Sequence, residues 1–201
     1  LFADRPVVHL PNPIDTDVFS PRDKLSARER LGLPKNKKLL AFGVMKDLHD
    51  PRKGAGELNA AVSLLNRDDI ELLIFGNVSP GRQQPFPYRA HYLGGLQNDE
   101  DLCLLYNAAD VIVVPSRQEN LSNIIMESLA CGTPVTGFRI GGNPDMVDHE
   151  INGYLAQAFD AADLARGINW ILDHPEPDRI SRNARRKTLD FFSSQKVAAQ
   201  Y

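Results

Sequence analysis

The chain reads as an α/β domain with a doubly wound parallel sheet. Three observations carry that reading. Short runs such as Leu39–Val44 and Val111–Val114 are apolar throughout, and Ile70–Phe75 is broken only by Glu71. Such runs suit strands buried on both faces. Between them lie segments whose apolar residues recur at helical spacing, as Leu58, Ala61, Val62 and Leu65 do. Strand–helix alternation with right-handed crossovers then builds a sheet with helices on both sides. In such sheets ligands sit outside the carboxyl ends of the strands.

In chain order, Val7–Leu10 is a short apolar run stopped by Pro11. Ser20 is expected to cap a first helix, with Pro21 at its first position and Asp23 in its first turn. That helix should end at Leu31, ahead of Gly32 and Pro34. Leu39–Val44 is a strand, and the polar loop 46–54 leads into a helix over 56–65. Ile70–Phe75 is the next strand, closed by Gly76, and 77–87 is a Gly/Pro loop. Tyr92-Leu93 before Gly94-Gly95 marks a strand end. Helix 99–109 precedes Val111–Pro115, the clearest strand. Helix 121–130 ends at Cys131-Gly132-Thr133-Pro134. Strands over 133–138 and 153–155, then helices over 160–172 and 179–191, complete the series. Ser194 is expected to cap a last helix.

Composition excludes several classes. At 201 residues one compact domain is expected. Charge of −3 with 42% hydrophobic residues argues against disorder. Asp+Glu 26 against Lys+Arg 23 argues against a basic nucleic-acid binder. No run approaches the ~18 apolar residues of a membrane span. Cys103 and Cys131, 28 positions apart, fit no metal motif or disulfide scaffold, so a reducing cytoplasm is the expected compartment. The five histidines (His9, His49, His91, His149, His174) show no metal spacing and read as structural or surface residues. Only His49 falls near a strand end. No dinucleotide fingerprint, P-loop or nucleophile elbow is present. The chain starts at Leu1 without an initiator Met, so a fragment of a longer protein is expected.

Three segments could carry chemistry. The run 116–127 follows a buried strand and opens a helix, whose free N–H groups suit an anion or a sugar hydroxyl. Glu119 lies in the turn and Glu127 about two helical turns on, so both can address one cleft. Carboxylates accept paired hydrogen bonds from neighbouring sugar hydroxyls. The plainer reading, equally weighted, has Glu119 serving the first helical turn and Glu127 solvated. Arg52-Lys53-Gly54 could hold a diphosphate, or be a solvated basic loop. Gly141-Gly142-Asn143 could let a ligand approach the backbone, or be a turn.

Together these segments resemble the C-terminal domain of family 4 retaining glycosyltransferases of the GT-B fold. The matching series runs from about Val7 to Leu172. It comprises Pro11-Asn12-Pro13-Ile14-Asp15 with Phe19, Lys53-Gly54, Tyr106-Asn107-Ala108-Ala109-Asp110, and Val114-Pro115-Ser116. Glu119 with Glu127 follows, then Ala130–Val135, Gly141–Asp145 and Asn152-Gly153-Tyr154. The resemblance implies a Rossmann-like half that binds a UDP- or GDP-sugar. Residues 1–20 would be the inter-domain entry, and 192–201 the start of a crossover helix back to an absent N-terminal acceptor domain. Lys53 would contact the diphosphate, Glu127 the ribose and Glu119 the sugar, as the catalytic candidate. Asn120, Leu121, Ser122, Gly141 and Gly142 would lie beside the sugar and phosphates. No metal or cofactor is implied.

The family places an arginine directly after the strand's glycine, where this chain has Val44. Arg52 is the first choice to supply that charge, Lys46 the second. The family's glycine-rich turn after the first glutamate is here Asn120-Leu121-Ser122. The resemblance further implies a role in bacterial surface polysaccharide synthesis. The acceptor would be a saccharide or lipid-linked saccharide, met through the absent half, with peripheral association at the inner membrane face. The rival readings are a non-catalytic nucleotide-sugar-binding module and a GT-B sugar-nucleotide epimerase.

Overall fold

A computed structural model describes residues 10–44, 50–78, 85–96 and 98–200. Most of the Val7–Leu10 run, together with His9, Lys46 and His49, lies outside them. Six strands form one sheet: β1 Lys38–Val44, β2 Ile70–Gly76, β3 Ala90–Gly94, β4 Val111–Val114, β5 Val135–Phe138 and β6 Gly153–Ala156. Their order is β3-β2-β1-β4-β5-β6, and every pairing is parallel. The doubly wound α/β expectation is met. The chain reverses its winding direction between β1 and β4, where Leu40 pairs with Val111 and Ala41 with Ile112.

The sheet is apolar on both faces because alternate residues of each strand point to opposite sides. Leu39, Ala41, Ile112 and Val114 join one core with α3 (Asp99–Ala108) and α4 (Asn123–Ala130). Leu40, Phe42, Val111 and Val113 join the other with α2 (Ala55–Ser63) and α6 (Ala161–Leu172). Among the remaining helices, α1 (Lys24–Arg30) packs on α3, and α7 (Pro177–Phe191) packs on α4. A short α5 (Asn143–Met146), absent from the sequence reading, starts beside Pro144. No helix among the described residues is long and apolar enough to cross a membrane.

Several helix starts differ from expectation, α7 for instance beginning at Pro177 and not at 179. α1 is capped by Asp23, which accepts from the Ser26 amide, and not by Ser20. The Asn107 side chain causes the delay. It accepts from the Arg22 amide at 2.6 Å and donates to the Ser20 carbonyl at 3.0 Å, holding 20–22 extended along α3. α4 starts at Asn123, two residues later than expected, because 120–121 pack against Gly142. At the other end, Ser193 takes the N-cap position of α8 (Ser194–Ala198) without a side-chain cap, its hydroxyl donating to the Leu189 carbonyl. Ser194 instead bonds the Ile14 carbonyl at 3.1 Å through its hydroxyl and again through its amide, tying the segment after Pro13 to the last helices.

The cysteines that sequence spacing leaves unrelated meet in the core, both thiols free, with Sγ atoms 3.7 Å apart. The three described histidines have structural partners. His91 Nε2 lies 2.5 Å from Glu71 Oε2, His149 Nδ1 accepts from the Leu155 amide, and His174 Nδ1 accepts from the Glu176 amide.

Candidate functional site

The segments after β1, β4 and β5 converge at the carboxyl edge of the sheet. Their convergence depends on glycine. Gly54 has φ +74°, and a Cβ there would lie 1.8 Å from the Pro115 carbonyl oxygen. Only glycine tolerates both the left-handed backbone and that approach. Gly141 and Gly142 act likewise, since a Cβ on them would meet the carbonyl oxygens of Glu119 and Asn120 at 1.8 and 1.9 Å. These glycines let one loop backbone lie on another. Residues 119–120 occupy the space directly beside these two glycines, and Gly141 also borders an opening. A further tie runs from the Arg117 amide to the Arg52 carbonyl at 2.8 Å.

The adjacent cations Arg52 and Lys53 separate. Both lie in a single 3-10 turn, Pro51–Lys53, capped by Asp50. With three residues per turn, neighbouring side chains diverge by about 120°. The Arg52 guanidinium turns outward and pairs with Asp50 at 2.8 Å, which holds the Asp50 carboxyl down at about 2. The structure therefore does not bring Arg52's charge to the cleft. Lys53 turns inward, and its Nζ lies 3.1 Å from Glu119 Oε1. This pair is mostly buried, at 24% and 12% side-chain exposure.

α4 brings the second carboxylate. Its N-cap, Ser122, makes no side-chain cap, and its first turn carries no acid, so its N-terminal amides face the cleft uncompensated. Glu127 sits one and a half turns into α4 and accepts a hydrogen bond from the Tyr106 hydroxyl at 2.6 Å. Burial pushes the Glu127 carboxyl up, while the Tyr106 bond pulls it down. Leu121 is half-buried against Gly142, and Asn120 is exposed.

Three openings line up along the N-terminus of α4. The first, of about 440 Å³, is bordered by Arg117, Glu119, Asn120, Ile140 and Gly141. A small gap bordered by Gly43, Lys53, Ser116, Glu119 and Ile124 follows. The third, of about 270 Å³, is bordered by Asn77, Leu96, Tyr106, Asn123, Ile124 and Glu127. Glu119 is shared by the first two and Ile124 by the last two. The two glutamates thus face different lobes, with Lys53 between them. Among the described residues, no three His, Cys, Asp or Glu side chains gather to hold a metal ion.

Sequence reasoning passed over two residues that shape this cleft. Arg117 pairs with Glu57 of α2 and lies 4.6 Å over the Phe159 ring, bracing the rim of the first lobe. Its nearness to Glu119 in the chain was the available signal. Tyr106 is 21 positions from Glu127, and only the packing of α3 on α4 joins them.

Comparison with known proteins agrees with this geometry. A family model described as "Glycosyl transferases group 1" matches residues 36–174. The D-inositol 3-phosphate glycosyltransferase of Mycolicibacterium smegmatis is 33% identical, over 98% of this chain and 47% of its own length. Sucrose-phosphate synthase from Thermosynechococcus elongatus superposes with a TM-score of 0.82 at 29% identity, over 95% of this chain and 50% of its own. Anabaena Alr3699/HepE, in complex with UDP and glucose, superposes at 0.79 with 22% identity, over 95% of this chain and 54% of its own. The chain spans about half the length of the curated relatives it matches. With the family match covering well over half of the residues, and the sheet that of GT-B structures, this chain belongs to the group 1 glycosyltransferases.

Proposed function

We propose that the carboxyl-edge cleft holds a nucleoside-diphosphate sugar, and that the chain is the donor-binding part of an enzyme transferring that sugar with retention of configuration. The observation that carries the reading is the order of the openings: Glu119 at one end, Lys53 in the middle, Glu127 at the other. A donor has the same order of parts. The sugar hydroxyls would meet Glu119, the diphosphate Lys53 and the α4 amides, and the ribose Glu127. That HepE takes UDP and glucose supports the assignment.

Negative charge grows on the departing diphosphate as the glycosidic bond breaks. A lysine ammonium and a helix N-terminus fixed where that charge develops favour the transition state over the bound donor. Before donor arrives, Lys53 and Glu119 neutralise each other, which keeps two mostly buried charges from standing alone. The phosphates would draw Lys53 from Glu119, freeing the carboxylate to orient the sugar. Under this reading the chain's own residues meet the diphosphate charge, and the site needs no metal or cofactor. It would work in the cytoplasm.

The acceptor would be engaged by a second domain of the size missing relative to the relatives, and this half alone would transfer little. A saccharide or lipid-linked saccharide in surface polysaccharide synthesis is the acceptor proposed from the motif resemblance. The relative named for D-inositol 3-phosphate favours a small phosphorylated polyol as the second reading. Calorimetry of this chain with UDP and with GDP tests the donor site. One nucleotide should bind, and Lys53→Ala and Glu127→Ala should each weaken it. Binding of neither, or binding indifferent to both substitutions, overturns the assignment.

A further inference from the structure

We infer that Tyr106 is a positioning residue for the nucleotide: it pins one oxygen of Glu127 so that the other is presented to the ribose hydroxyls. The inference rests on the donor reading above and adds to it a residue that touches the ligand only through another.

The hydroxyl of Tyr106 donates to Glu127 Oε2 at 2.6 Å. A carboxylate on a three-bond stem rotates freely unless one oxygen is held. Here Oε2 is held and Oε1 carries no bond among the described residues, while the residue lines the third opening. Tyr106 itself cannot turn away. It is fully buried, its ring meets Phe75 edge-on at 6.0 Å, and its carbonyl accepts from the Thr133 hydroxyl at 2.7 Å. The α3 helix is thereby fixed to the turn that ends α4. Burial pushes the Tyr106 hydroxyl well above its ordinary range, so it remains a donor. A phenylalanine would fill the same core space, so the hydroxyl is not required for packing. Its only hydrogen-bond partner among the described residues is Glu127.

A ratio separates this role from a structural one. Calorimetry would compare the nucleotide the chain binds, UDP or GDP, with its 2′,3′-dideoxy form, in wild type and in Tyr106→Phe. Wild type should prefer the full ribose by about tenfold or more, as expected when a charged acceptor loses its hydroxyl partners. Tyr106→Phe should shrink that ratio severalfold and leave dideoxy binding nearly unchanged. Glu127→Gln should shrink it too, with no further loss in the double variant. Equal ratios in wild type and Tyr106→Phe overturn the inference. A wild type that does not distinguish the two nucleotides overturns the ribose assignment itself. A readout independent of the variant is the ¹³Cζ resonance of labelled Tyr106 in wild type. It should move on binding the full nucleotide and not the dideoxy form, and an unmoved signal counts against the pairing.

Discussion

The strand–helix junctions at the centre of the sheet and those at its margins are built differently. At the margins the helices are closed by side chains. Asn98 caps α3 by accepting from the Asp101 amide, and Asp160 caps α6 by accepting from two amides. Both helices carry acids in their first turns, as α2 (Glu57) and α5 (Asp145) at the centre also do, whereas α4 carries none. At the centre, α2, α4 and α5 follow β1, β4 and β5, and their N-caps Gly54, Ser122 and Gly142 make no side-chain cap. A side-chain cap contributes about 1 kcal/mol. Of the three, α4 alone lacks both a side-chain cap and a first-turn acid, so at the reversal of winding its amides and positive dipole end are left for an anionic ligand under the donor reading. Under the proposed donor reading, the margin serves stability and the α4 junction at the centre serves binding.

Glycine substitution should break the comparison most sharply. Gly54→Ala combines a left-handed backbone with a Cβ 1.8 Å from a carbonyl oxygen, and the loops after β1 and β4 would have to separate. The expected cost is about 3 kcal/mol in urea denaturation. Gly94, the last residue of the marginal strand β3, has φ +70° but nothing within 4 Å of a Cβ. Gly94→Ala carries only the strain of its φ and should cost about 1 kcal/mol. Similar costs at both sites would show that backbone conformation, and not loop contact, sets the requirement.

Next in size are the charges. Lys53→Ala should weaken nucleotide binding about 30-fold, the loss of one charged contact of about 2 kcal/mol. Arg52→Ala, removing a guanidinium that is exposed and held by Asp50, should change it less than twofold in the same titration. Acidification should act through Glu127. Burial raises its pKa, and from α3 Asp99 raises it further while Tyr106 opposes. The accepting carboxylate is lost as pH falls through that raised value. Nucleotide affinity should therefore begin to fall at a higher pH than for an exposed glutamate, and Glu127→Gln should flatten the profile.

The difference between neighbours such as Arg52 and Lys53 shows what the sequence could not express. Strand runs such as Val111–Val114 and the helical periodicity are local, so the sheet, its doubly wound class and the carboxyl-edge location were legible. Lys53, Glu119 and Glu127 stand out as candidates because their order along the chain matches a family pattern, and the structure brings them to one edge of the sheet. Which of two adjacent cations turns inward depends on a 3-10 turn of three residues. The close approach at Gly141-Gly142 depends on a loop 22 positions back (141 against 119, 142 against 120), and Tyr106–Glu127 on helix packing. Ser20 had the residue types of a cap, but Asn107, 87 positions on, took its segment.

The smallest effects test the division of labour itself. Asp160→Ala removes a marginal cap that accepts from the amides of Ala162 and Asp163. It should cost about 1 kcal/mol of stability and leave nucleotide binding unchanged. Asn123→Asp is the converse at the centre. The side chain keeps its shape, is exposed, and gains a negative charge in the first turn of α4. Folding should gain about 0.5 kcal/mol from the helix dipole. The same charge stands beside the opening shared with Glu127 and repels an incoming diphosphate, so affinity should fall severalfold. Opposite signs for stability and binding in this one variant are what an N-terminus left open for a ligand requires. If both rise together, the open cap is a local accident of the 120–122 turn, and the contrast between centre and margin loses its functional meaning.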